Sequence, residues 1–159
     1  MPARSDYNAL SADLVQKFLA FSLALKGSAI EEPVRHLVNI RASQMNGCAF
    51  CTDMHVKEAR IAGERELRLH HIAIWRDSPL FDARERAALD WTEALTRLSG
   101  HGVADEIYDS VRRELSEKEL SDLTFAIMAI NGWNRVAVGF RTVPGSLDGM
   151  YGLAKAGLA

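Results

Sequence analysis

The chemistry-bearing residues of this 159-residue chain stand close together. Its two cysteines, Cys48 and Cys51, lie in the run Asn46-Gly47-Cys48-Ala49-Phe50-Cys51, and His55 follows four residues later. At about 100° per residue, a helix through this run puts Cys51 roughly 300° and His55 roughly 700°, or −20°, from Cys48, so all three project from one face. Two thiols at this spacing are too few for a disulfide framework and point to a redox pair or to half a metal site. Gly47 places Cys48 in the first helical turn, where unpaired N–H groups and the positive end of the helix dipole stabilise a thiolate. His55, one turn after Cys51, can accept its proton directly or through a water. The dipole favours Cys48 as nucleophile and the histidine favours Cys51; spacing does not choose between them. With His36 as a fourth ligand the set could also be Cys2His2 zinc. Structural zinc usually joins loops or knuckles, whereas helical patterning already holds this segment, so no metal is expected.

The elements that must position these residues are helical. Leu14, Phe18, Phe21 and Leu25 form one face of a first helix. Pro33 suits the first turn of a second, which carries Leu37 and Ile40 inward and runs to about Met45, where Asn46-Gly47 stops it. A third begins at the cysteines and ends near Ile61 or Ala62 before Gly63, and a short piece spans Glu66 to Trp75. Asp82 with Glu85 gives a capping-box pattern ahead of a helix that buries Ala88, Trp91, Leu95 and Leu98, closed by Gly100 and Gly102. Ile107 and Val111 mark another helix. Ser116 with Glu119 caps the next, whose stretch from Leu123 to Ile130 is apolar on every side, as suits a central helix or a subunit contact. After Gly132, Trp133 to Phe140 can form a last helix. The absence of sustained period-two alternation makes the fold all-α. One domain over residues 1–159 is expected, with a core of about 10–142 and an irregular, glycine-rich tail at 143–159.

Composition narrows the function. With 19 Lys+Arg against 21 Asp+Glu and no basic block, the chain lacks the charge footprint of a nucleic-acid binder. The longest apolar stretch, Phe18 to Leu25, is interrupted by Ser22 and falls far short of the roughly 18 residues a membrane span needs, so no membrane partner is expected. Asp6 and Asp13 interrupt the positive start an export signal requires, and a cytoplasmic location is expected. His70-His71 read as surface or interface residues, because neighbours on a helix point about 100° apart. The charged runs Glu64 to Arg68 and Arg112 to Glu119 read as solvated faces. An apolar helix on a thin domain suggests homo-oligomers.

The run from Arg41 through His55, Arg-Ala-Ser-Gln-Met-Asn-Gly-Cys-Ala-Phe-Cys-Thr-Asp-Met-His, resembles the core of the alkylhydroperoxidase AhpD-like proteins of the carboxymuconolactone decarboxylase superfamily. The similarity extends through Trp75-Arg76-Asp77-Ser78-Pro79, Glu85-Arg86-Ala87-Ala88-Leu89 and Ile130-Asn131-Gly132-Trp133-Asn134-Arg135, covering most of residues 30–142. The resemblance implies an AhpD-like helical domain with the Cys-x-x-Cys at a helix N-terminus, trimers to hexamers, and thiol peroxidase or disulfide reductase activity. It implies that Cys51 attacks the peroxide, that Cys48 resolves the resulting sulfenic acid, and that His55 relays protons. No bound cofactor is needed; the implied partners are a peroxide and a dithiol reductant of thioredoxin-like or lipoyl type. Relatives that decarboxylate lactones commonly lack the cysteine pair, so its presence favours redox chemistry.

One departure stands out. Family members usually carry a glutamate twelve residues before the first cysteine, where this chain has His36. Glu32 lies one turn earlier on the same face, so a Glu32–His36–water–Cys51/His55 relay is conceivable. Should His36 not substitute for the acid, the expectation is weak peroxidase activity or a redox-sensing, thiol–disulfide role.

Overall fold

The computed structural model describes residues 2–158. Its helices are α1 (Tyr7–Leu10), α2 (Ala12–Ala24), α3 (Glu32–Met45), α4 (Ala49–Ile61), α5 (Glu66–His71), α6 (Ala83–Thr96), α7 (Asp105–Glu114), α8 (Glu117–Phe140) and α9 (Asp148–Tyr151). Short 3₁₀ turns at Leu25–Gly27, Ile72–Asp77 and Leu153–Ala156 complete it. No strand occurs among the described residues, and the fold is all-α.

Helix α3 is the hub. Val34 and Val38 pack into one apolar cluster with Trp91 of α6, Val111 of α7 and Leu123 and Ile127 of α8. Leu37 and Ile40 serve a second cluster with Ala59 of α4, Ile72, Trp75 and Leu89. Each fully buried aliphatic side chain contributes about 1.5–3 kcal/mol of transfer free energy, so α3 is fixed from two sides before any polar contact is counted. Both expected capping boxes form: Asp82 accepts from the Glu85 amide at the start of α6, and Ser116 from the Glu119 amide at the start of α8.

Several details depart from the expected pattern. There is no break at Gly132, because α8 runs unbroken to Phe140. Glycine suits that position for a packing reason: a Cβ there would lie 2.6 Å from Cζ of Phe18, so its absence lets α2 approach α8 closely. Leu98 lies beyond the end of α6 and is 67% exposed. Leu14 is 62% exposed, and Val15 takes its place beside Phe18, Ser22 and Leu25 on the half-buried face of α2. The hydroxyl of Ser22 on that face accepts a hydrogen bond from Trp133 Nε1 at 2.8 Å, which sets the rotation of the helix. In the charged run Glu64–Arg68, Arg68 is buried rather than solvated, paired with Glu64 and Glu85 and lying over the ring of Phe81. The tail after Pro144, expected to be irregular, carries α9 and the Leu153–Ala156 turn, and Leu153 and Ala156 are buried against the rest of the chain.

Candidate active site

The cysteine pair sits where one helix ends and the next begins, and a single residue serves both ends. Past the C-cap Asn46, the Gly47 amide bonds the Gln44 carbonyl at 3.2 Å and the Cys48 amide reaches back to Ser43 at 3.0 Å. This is a Schellman motif, and it needs a residue with positive φ, which Gly47 supplies at 64°. Cys48 is then the N-cap of α4: its Sγ accepts the backbone N–H of Cys51 at 3.2 Å. Cys48 and Cys51 are joined as a disulfide. The pair packs with Phe50 and Ala137, and Met54 and Leu147 lie against that cluster.

A buried amide network holds this junction on α8. Asn46 Nδ2 donates to Asn131 Oδ1 at 2.9 Å and to Asn134 Oδ1 at 2.8 Å, and Asn134 Nδ2 donates to Ser43 Oγ at 3.1 Å. Asn134 is fully buried, and Asn131 is buried and bonded to Thr96. Unpaired, such groups would cost about 1–3 kcal/mol each, so the network ties the turn to α8 in one geometry. The tail adds a second tie. The buried ammonium of Lys57 on α4 donates to Asp53 at 2.9 Å and to Asp148 of α9 at 2.7 Å, which brings Leu147 onto the cysteine cluster. Those hydrogen bonds raise the Lys57 pKa despite burial.

A groove of about 1010 Å³ opens between α2, α3, α4 and α8. Cys51, His55, His36 and Glu58 line it; Cys48 is not among the lining residues. Each cysteine is only 2% exposed, so the groove is the approach to the pair and it meets Cys51. Val15, Leu19, Met54, Ile130 and Trp133 give the groove apolar walls. His55 Nδ1 is 2.6 Å from Glu58 Oε2, within one turn of the same helix. Burial pushes the Glu58 carboxyl up, but the His55 hydrogen bond and the charges of His55, His36 and Lys26 outweigh it and leave its pKa below the ordinary value. His36 Nε2 is buried and has no hydrogen-bond partner among the described residues; Glu32 Oε1, at 3.6 Å, is beyond hydrogen-bonding distance. Burial lowers the His36 pKa, with Glu58 and Glu32 opposing and His55 and Arg35 reinforcing the shift.

The structure therefore brings Cys51, His55 and His36 to one groove, with Cys48 directly behind as the bonded partner. Among the described residues, no group of three or more His, Cys, Asp or Glu side chains is arranged to hold a metal ion. His70 is exposed and His71 bonds Ser78. The sequence reading passed over Glu58. Its signal is its position three residues after His55, the spacing at which side chains meet on a helix surface.

This combination of fold and site defines a known class. The carboxymuconolactone decarboxylase family pattern matches residues 12–94, and the chain belongs to that family as an AhpD-like member. It is 36% identical over 138 residues to the uncharacterised protein YdfG of Bacillus subtilis, spanning 87% of this chain and 94% of YdfG. A crystal structure of a protein of unknown function from Agrobacterium tumefaciens, suggested to be the antioxidant defence protein AhpD, superposes with a TM-score of 0.87. It is 39% identical, over 90% of this chain and 98% of that one. An uncharacterised peroxidase-related protein with an AhpD core from Ralstonia eutropha shares the fold, with a TM-score of 0.77 at 21% identity over 87% of this chain and 74% of that one. Among the described residues, no helix is long and apolar enough to cross a membrane.

Proposed function

We propose that the chain is a thiol-dependent peroxidase acting on hydrogen peroxide or small organic hydroperoxides. One observation carries this reading: among the described residues the one cysteine lining the groove is Cys51, and it shares that groove with a histidine held by a carboxylate. In the reduced pair, His55 takes the Cys51 proton and the thiolate attacks the nearer peroxide oxygen. The O–O bond breaks, the distal oxygen leaves as water or alcohol after receiving a proton, and Cys51 becomes a sulfenic acid. The Cys48 thiolate displaces hydroxide from that sulfur, which leaves as water with a proton, and the disulfide forms. The Cys51 amide at Cys48 Sγ supports negative charge on Cys48 whenever it is a thiolate. His36, at the groove wall, is the second proton carrier in this reading. An external dithiol, thioredoxin-like or lipoyl-type, reduces the disulfide and is itself oxidised. No bound cofactor is required, and the reducing cytoplasm is the compartment in which such a cycle turns over.

Peroxide consumption with dithiothreitol as reductant tests the reading. Turnover is expected in the natural protein and is lost in Cys51→Ser, while undiminished turnover in that variant would end the assignment of Cys51 as nucleophile.

The proposal includes a homo-oligomer, trimer to hexamer, supported by the exposed Leu10 and Leu14 at the N-terminal helices and by Phe125 and Met128 on α8. Sedimentation at micromolar concentration is expected to give a mass several times 17.6 kDa; a monomer would contradict it.

A further inference from the structure

Glu58 stands outside the four residues to which the proposed reaction assigns roles, yet it makes the shortest polar contact in the groove to any of them. We propose that Glu58 is a positioning residue that fixes the ring orientation and proton of His55, so that carboxylate support for this histidine comes from α4 rather than from α3. The inference rests on reading Cys51 and His55 as thiol and base.

The argument begins with hydrogen-bond capacity. An ionised carboxylate only accepts, so at 2.6 Å from Glu58 Oε2 the His55 Nδ1 must carry the hydrogen. In the neutral ring that tautomer leaves the lone pair on Nε2, the form in which imidazole takes a proton. Glu58 is held ionised by its surroundings, since its pKa lies below the ordinary value despite burial. Besides Cys51, the charged and titratable groups that share the groove with the pair are Tyr7 on α1, Lys26 after α2, Glu32, Arg35 and His36 on α3, Tyr151 on α9 and Lys155 in the C-terminal turn. None of these replaces Glu58. His36 lacks a partner at Nε2 and its pKa is lowered by burial, so near neutrality it carries no charge. The Glu32 side chain is 66% exposed, and it stands beside His36. The acid that the family pattern leads one to seek at position 36 is thus matched by one a turn beyond His55 on the other helix.

The test is alkylation of the reduced protein by iodoacetamide as a function of pH, in a Cys48→Ser background where Cys51 is the only thiol. Glu58→Gln keeps the size of the side chain but lets an amide donate to Nδ1, which holds the wrong tautomer; such a change costs an imidazole base orders of magnitude in catalytic triads. The expected result is alkylation at pH 7 slowed about tenfold or more, with the difference vanishing above the ordinary thiol pKa of about 8.5. Glu58→Asp, which restores the charge on a shorter arm, is expected to fall between. Loss of a negative charge alone would favour the Cys51 thiolate and speed the reaction, so slowing separates positioning from simple electrostatics. A pH profile in Glu58→Gln that is unchanged, or faster at pH 7, overturns the proposal. Should Glu58→Gln unfold, as thermal melting would show, Glu58→Asp decides by the same criteria. The readout uses no peroxide. Absence of peroxide turnover would therefore sink the peroxidase reading without touching this one, and an unchanged alkylation profile would do the reverse.

Discussion

The groove has two unlike walls. On one side, the α3–α4 junction buries Ser43, Cys48 and Cys51, is closed by a Schellman motif, and is tied to α8 through Asn46, Asn131 and Asn134. On the other side, α2 contains no buried residue and is held by the Trp133–Ser22 hydrogen bond and by ring contacts, Phe18 with Trp133 at 4.6 Å and Phe21 with Phe125 at 6.3 Å. Reacting sulfur and imidazole must keep their geometry to within a fraction of an ångström, which suits the first wall. Few buried contacts make an element easy to displace, which suits a wall that a substrate must pass. In the proposed reaction the first wall holds the chemistry and the second gives access.

The largest expected effect comes from breaking the rigid wall. Asn134→Ala leaves Ser43 Oγ without its donor from α8 and removes one of the two acceptors of Asn46 Nδ2. Because Asn134 and Ser43 are fully buried, water cannot replace the bond between them, and we expect a loss of about 2–4 kcal/mol in urea denaturation. A loss below about 1 kcal/mol would mean that the network does not hold the junction, and the contrast between the walls would lose its physical basis.

Much of this arrangement was legible in the sequence where the signal is local. The two capping boxes, the Asn46-Gly47 stop and the helix start at the cysteines each depend on residues within a turn or two, and the helices stand where those residues place them, with Cys48 as the N-cap of α4 rather than within its first turn. What could not be read depends on partners far along the chain. Gly132 looks like a stop until Phe18 is found against it, 114 positions away. Arg68 looks solvated until Glu85 meets it from α6. The tail looks irregular until Lys57 gathers Asp148. Glu58 is a mixed case: its spacing from His55 is local, but its place in the groove depends on α3 packing against α4, far from it in the chain.

The smallest expected effect on global stability is also the sharpest probe of the loose wall. Gly132→Ala adds helix propensity within α8 worth about 1 kcal/mol. The new methyl would stand 2.6 Å from Cζ and 3.1 Å from Cε1 of Phe18, distances that force the ring to move. Since Phe18 sits on a half-buried face of α2, the strain can be relieved by shifting that helix, and the two contributions oppose each other. Net stability should change by less than about 1 kcal/mol. Amide hydrogen exchange should nonetheless quicken along α2, while the α3–α4 junction keeps its protection. Equal loss of protection in both would show that the walls move as one unit, and the division between access and chemistry would fail.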